Sequence, residues 1–172
     1  MSTSDFRLTD QHIGHFETFG YLGFPGLLAD RIDGIIDAFE EVWAQRGGGH
    51  DGKPHGEVAR SCIVPFMDQH EVLCSLLDDP RILAIQKQLL GDDFNYMGSD
   101  GNYYVGDTGG HSDGWHEGIT HVKIAFYLDS VTRDTGCLRV IPGSHLRDTP
   151  YADTLMEKIG RSQDEWGLAG DE

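Results

Sequence analysis

Residues 119–128 read ITHVKIAFYL, and apolar side chains occupy every second position from Val122 onward. In an extended chain, successive side chains point to opposite faces, so Val122 and Ile124 share one face while His121 and Lys123 share the other. This alternation predicts a strand with one face buried and the other polar.

Two further strands are predicted on either side of this one. Residues 94–105 (FNYMGSDGNYYV) and 137–141 (CLRVI) are rich in aromatic and branched side chains, which favour extended structure. Residues 93–147 are therefore expected to form a β core.

The preceding part of the chain, residues 1–92, has the apolar period of helices. Four helices are predicted. The first begins after Thr9 and ends at Gly20, and the second begins at Ile32 and ends before the glycines that start at Gly47. The third runs from His70 to Leu77, and the fourth begins after Asp79 and ends at Gly91. Residues 148–172 form a polar tail. The predicted fold class is α+β, as a single domain over residues 1–172 with a mainly helical front on a β core.

Composition excludes several classes of protein. The chain has 172 residues with 13 Lys+Arg against 29 Asp+Glu, a formal net charge of −16. This charge argues against binding to nucleic acid or an anionic membrane surface. No apolar run has the length of a membrane span, and the first residues do not resemble a secretory signal. The three cysteines suggest a reducing, cytoplasmic location and are expected to be small core residues.

The candidate chemistry lies in GDTGGHSDGWH, residues 106–116, between two predicted strands. In an extended segment His111 and Asp113 point to the same face, where an imidazole and a carboxylate could bind one divalent metal such as iron(II). A His-x-Asp pair is expected about once by chance in a chain of this composition, so the motif alone is weak. A surface histidine beside a turn aspartate is the alternative.

A resemblance makes this assignment more specific. GGHSDG, HVKIAFYLDSVTRDTG and CLRVIPGSHL follow one another between Tyr104 and His145, and LTDQHIGHFETFGYLGFPGLL precedes them near the start. This order resembles the phytanoyl-CoA dioxygenase family of iron(II)/2-oxoglutarate-dependent oxygenases over most of residues 7–147. It implies a double-stranded β-helix (jelly-roll) core with helices on one side, and it implies that His111 and Asp113 are two of three iron ligands.

The resemblance also implies the activity and its small-molecule partners. These are Fe(II), 2-oxoglutarate, O₂ and a small organic substrate that is hydroxylated at an unactivated C–H bond. Because Lys123 shares a strand face with His121, it is a candidate for binding the distal carboxylate of 2-oxoglutarate by charge pairing. A solvated lysine is the alternative for that position.

The sequence departs from the family pattern in its last part. The family places a third ligand, a histidine, on a later strand, followed by an arginine that binds 2-oxoglutarate. No histidine follows His145 in this chain. We therefore expect the sequence to be a fragment of a longer oxygenase domain with an incomplete jelly roll. A non-catalytic jelly-roll binding module that has lost the distal half of the metal site is the alternative function.

Overall fold

A computed structural model describes residues 6–46, 59–105, 119–146, 149–151 and 154. The chain divides into two compact units that interleave along the sequence. The first unit comprises Met1–Leu8, Phe24–Asp107 and Ala125–Cys137, and the second comprises Thr9–Gly23, Thr108–Ile124 and Leu138–Glu172.

Helix α1, Asp10–Phe19, belongs to the second unit and has the predicted ends. The Thr9 hydroxyl accepts a hydrogen bond from the backbone N–H of His12, and the His12 imidazole Nδ1 accepts one from the backbone N–H of Thr9. This reciprocal pair is a capping box in which histidine replaces the usual Glu or Gln. At the other end Gly20 adopts the left-handed conformation, with φ of 81°, and its N–H donates to the Phe16 carbonyl.

Helix α2, Ile32–Gln45, buries the face that its apolar spacing predicts. Ile35, Ala38, Val42 and Trp43 are at most 4% exposed. The four acidic residues of the opposite face are exposed, as predicted; these are Asp33, Asp37, Glu40 and Glu41. The helix therefore presents one apolar side to the core of the first unit.

The helix predicted from His70 to Leu77 is shorter in the structure. A 3-10 turn, Met67–Gln69, leads into α3, which covers only Glu71–Cys74. After Cys74 the backbone forms tighter hydrogen bonds of the 3-10 type, in which Leu76 N–H donates to Leu73 and Leu77 N–H donates to Cys74. This tightening ends the α-helix before the next one begins.

Helix α4, Pro80–Leu90, confirms both of its predicted ends. The Asp79 carboxylate accepts the backbone N–H of Arg81 at 3.0 Å, and Pro80 occupies the first turn, where its missing N–H is tolerated. Gly91 ends the helix, and its N–H donates to the Lys87 carbonyl at 2.9 Å.

The described residues contain one sheet of two antiparallel strands, β1 (Ala59–Ile63) and β2 (Gly101–Val105). Ile63 pairs with Gly101 at one end of the ladder. A Cβ at Gly101 would overlap the Phe66 ring, so only glycine lets this ring cover the strand.

The predicted strands are longer than those observed. Strand β2 covers only the last five residues of 94–105, and Gly98, three residues before it, has a positive φ of 149°. The Ser99 hydroxyl accepts the backbone N–H groups of Phe66 and Met67 there, so a side chain satisfies those donors in place of a strand. No strand occurs at 119–128 or 137–141 within the described ranges. The described fold is α+β, with helices and a small two-stranded sheet.

The core of the first unit lies between α2, β1, α3 and the residues that follow α3. Its buried members are Ile35, Ala38, Val42, Trp43, Ile63, Phe66, Leu73 and Leu76. Leu28, Phe39, Met67, Val72, Tyr103 and Leu128 pack around them while partly buried. No helix in the described part of the chain is long and apolar enough to cross a membrane.

The prediction that the cysteines are core residues is wrong. Cys62 and Cys74 are exposed and Cys137 is half-buried. Cys62 precedes the buried Ile63 on β1, so strand alternation turns it to the other face. Cys74 follows the buried Leu73 on α3, where neighbouring positions point in different directions.

Candidate metal centre

The predicted metal ligands His111 and Asp113 lie outside the described residues. The structure describes the chain on both sides of them, as far as the end of β2 at Val105 and again from Ile119. The structure therefore describes the segments that precede and follow the motif in the sequence.

The segment before the motif is fixed to the helical front through Tyr103 on β2. Its ring meets those of Phe39 and Trp43 nearly edge-on, with centroids 5.3 and 5.1 Å apart. Its hydroxyl donates a hydrogen bond to the Glu40 carboxylate. Burial, together with the adjacent negative charge of Glu40, raises the pKa of the Tyr103 phenol well above its usual range. Tyr103 is thus a packing residue and a hydrogen-bond donor.

Glu40 was not singled out by the sequence. It lies on the exposed face of α2, where an acidic residue is ordinary, and 63 positions separate it from Tyr103. Sequence patterns over a few residues do not predict a contact between residues so far apart in the chain.

The segment after the motif keeps the predicted alternation of burial. Val122, Ile124, Phe126 and Leu128 are partly buried, whereas His121, Lys123, Ala125 and Tyr127 are exposed. Leu128 packs against the core of the first unit. Lys123 therefore lies on the exposed face of an alternating segment, ten positions after Asp113 in the sequence.

His145, a further histidine near the motif in sequence, contacts α1. Its Nε2 lies 3.1 Å from the Glu17 carbonyl oxygen, and its ring centroid lies 6.4 Å from that of Phe16. The N–H of Gly143, in the same turn, donates to the Phe19 carbonyl at 3.0 Å. These contacts hold the turn at Gly143–Leu146 against α1.

The donor set of the motif suits iron(II). An imidazole nitrogen and a carboxylate oxygen together form the mixed N/O ligation typical of non-haem iron sites. Within the described ranges, no group of three or more His, Cys, Asp or Glu side chains is arranged to hold a metal ion.

A comparison with protein families gives a match that covers most of the chain. The family model described as Phytanoyl-CoA dioxygenase (PhyH) matches residues 16–167, a range that contains the His-x-Asp motif, Lys123 and the P-G-S-H turn. No curated protein and no solved structure matches the sequence. Since the family model spans far more than half of the 172 residues, the chain belongs to the phytanoyl-CoA dioxygenase family.

Proposed function

We propose that this protein is an iron(II)/2-oxoglutarate-dependent dioxygenase that hydroxylates an unactivated C–H bond of a small organic substrate. The observation that carries the proposal is the family match over residues 16–167, because that range includes a His-x-Asp pair with the donor chemistry of an iron site. Members of this family generally depend on Fe(II) and 2-oxoglutarate.

In this proposal His111 and Asp113 hold the iron. Bound iron supplies the coupled oxidation in which O₂ converts 2-oxoglutarate to succinate and CO₂ and hydroxylates the substrate. One residue separates the two ligands, a spacing that in an extended chain points both side chains to the same face. The contacts of Tyr103 with α2 position β2, which ends at Val105, six positions before His111 in the sequence.

Lys123 is proposed to bind the distal carboxylate of 2-oxoglutarate. Its side chain is exposed, and an ammonium group attracts a carboxylate through a charge-assisted hydrogen bond. Its neighbours Val122 and Ile124 are partly buried, which anchors the backbone on both sides of the lysine.

The remaining expectations follow from the same proposal. The alternating burial of residues 121–128 supports their inclusion in a jelly-roll β core over residues 93–147 within a single domain. Exposed thiols at Cys62 and Cys74 suit a reducing cytoplasm.

An anaerobic iron titration tests the site assignment. Adding Fe(II) and 2-oxoglutarate to the intact chain should produce a visible metal-to-ligand charge-transfer band. His111→Ala and Asp113→Ala should each abolish this band, because either change removes a proposed ligand. His55→Ala is the matched control, since His55 belongs to a His-x-Glu pair in a Gly-rich stretch of the sequence and should leave the band intact.

Two results would contradict the proposal. One is the absence of any band at millimolar iron with the parent chain. The other is an undiminished band in His111→Ala, which would place the metal elsewhere. Succinate formation in air, measured with the parent and the same variants, then tests whether the loaded site turns over.

A further inference from the structure

His70 makes two contacts that depend on where its proton resides. It is the N-cap residue of α3, and its Nδ1 accepts the backbone N–H of Val72 at 3.1 Å. Its Nε2 lies 3.4 Å from a carboxylate oxygen of Glu41 on α2. One imidazole therefore connects the start of α3 with the side of α2.

These contacts require the neutral ring with its proton on Nε2. An acceptor nitrogen needs a free lone pair, so Nδ1 carries no hydrogen while it binds the Val72 N–H. The Nε2–H group then points towards Glu41. When the ring is protonated, both nitrogens carry hydrogen, and Nδ1–H faces the Val72 N–H with no lone pair between them. The cap is lost.

The gain at Glu41 does not offset this loss. Protonation turns the His70–Glu41 contact into an ion pair, but the Glu41 side chain is 60% exposed, and exposed ion pairs contribute little. Loss of an N-cap shifts a folding equilibrium constant by about fivefold.

Besides Glu41, the charged groups around His70 are two carboxylates and one cation. Asp68 lies on the 3-10 turn and Glu71 on α3. Arg46 follows α2 and donates to the Gln69 side-chain oxygen at 3.2 Å. Among side-chain types, the imidazole is the one whose ordinary charge change falls near neutral pH.

The cap bears on the core because α3 is short. Leu73 on α3 is 3% exposed, and Leu76 after it is 1% exposed; both belong to the core of the first unit. We propose that His70 is a pH-sensitive cap that holds α3 against the core when the imidazole is neutral and releases its first turn when the imidazole is protonated.

His70→Asn tests this proposal. Asparagine is a favourable N-cap residue whose side-chain oxygen accepts the same N–H but does not titrate near neutral pH. Urea denaturation at pH 7.5 and pH 5.5 should show that the unfolding equilibrium constant of the parent rises more on acidification than that of His70→Asn, by about threefold to fivefold. The other eight histidines are present in both chains, so the difference isolates His70.

A second variant separates the cap from the ion pair. Glu41→Gln removes the charge that attracts the protonated ring, so its loss of stability on acidification should equal or exceed that of the parent. Hydrogen exchange at the Val72 amide should accelerate on acidification, relative to the intrinsic rate, in the parent but not in His70→Asn. The proposal is overturned if the parent and His70→Asn respond equally to pH. It is also overturned if the parent gains stability relative to His70→Asn at pH 5.5, which would make the ion pair dominant.

Discussion

Asp79 is a buried carboxylate of the first unit that pairs with two arginines. Its side chain is 4% exposed, and its two oxygens accept hydrogen bonds from Nε and Nη2 of Arg81 at 2.9 and 2.8 Å. It also accepts a hydrogen bond from Arg31 at 3.0 Å, while Arg81 reaches the Asp30 carboxylate and the Leu27 carbonyl. The Arg81 guanidinium holds the pKa of the Asp79 carboxyl well below its usual range, with Arg31 acting in the same direction.

Asp79→Asn should destabilise the first unit by about 3 kcal/mol at pH 7, because it leaves the buried Arg81 guanidinium without its full counter-charge. Since the folded-state pKa of Asp79 is depressed, its contribution is complete above the unfolded value near pH 4 and is lost as the pH falls further. The difference between parent and variant should therefore shrink in acid. Urea denaturation at pH 7 and pH 3 measures both values.

Asp78→Asn is the control for that experiment. Asp78 is the exposed neighbour of Asp79, so this change should alter the free energy of unfolding by no more than about 0.5 kcal/mol at pH 7. Two results would contradict the role given to the Asp79–Arg81 pair. One is a loss of unfolding free energy in Asp79→Asn that is no larger than in Asp78→Asn. The other is a loss in Asp79→Asn that is the same at pH 3 as at pH 7.

At the scale of elements, the helices were predictable because their signals are local. Thr9 and Gly20 delimit α1, and Asp79 with Pro80 begins α4, through contacts that span only a few positions. A strand also needs a neighbouring strand for its backbone hydrogen bonds, and the alternation at 119–128 does not identify which segment would pair with it. The same limit hid the contact between Arg81 and Asp30, because 51 positions separate the two residues.

The junction between α1 and the Gly143–Leu146 turn provides an element-scale prediction. Gly20 has φ of 81°, and a Cβ there would overlap Nδ1 of the His145 ring. Gly20→Ala should therefore destabilise the second unit by about 2 kcal/mol, from left-handed strain and displacement of the ring. The free energy of unfolding from urea denaturation measures this loss.

Gly14→Ala is the matched control within the same helix. A Cβ at Gly14 would meet no atom within 4 Å, and the residue lies inside α1, so alanine should stabilise the helix by about 0.5–1 kcal/mol. His145→Ala in the Gly20→Ala background should recover only the part of the loss that comes from the ring. Equal effects of alanine at both glycines would show that neither the conformation nor the ring constrains Gly20.

At the scale of the whole molecule, the net charge of −16 opposes the binding of 2-oxoglutarate, which is a dianion at neutral pH. In the proposed site, iron would offset this repulsion at one end of the cosubstrate, and the distal carboxylate would need a cation of its own. The α+β class and the family were predictable from short patterns in the sequence. The strength of the field around Lys123 depends instead on where 29 acidic residues lie in space.

Lys123→Met should weaken 2-oxoglutarate binding about tenfold, measured anaerobically with Fe(II) present, because it removes a charge-assisted hydrogen bond while keeping most of the side-chain length. Lys87→Met is the control, since Lys87 is an exposed lysine on α4 and its loss changes the net charge by the same amount. Salt screens the attraction to Lys123, so the ratio of parent to Lys123→Met affinity should fall as NaCl rises from about 20 to about 200 mM. Equal weakening by both variants would show that only the overall field acts, and unchanged binding in Lys123→Met would remove this residue from the site.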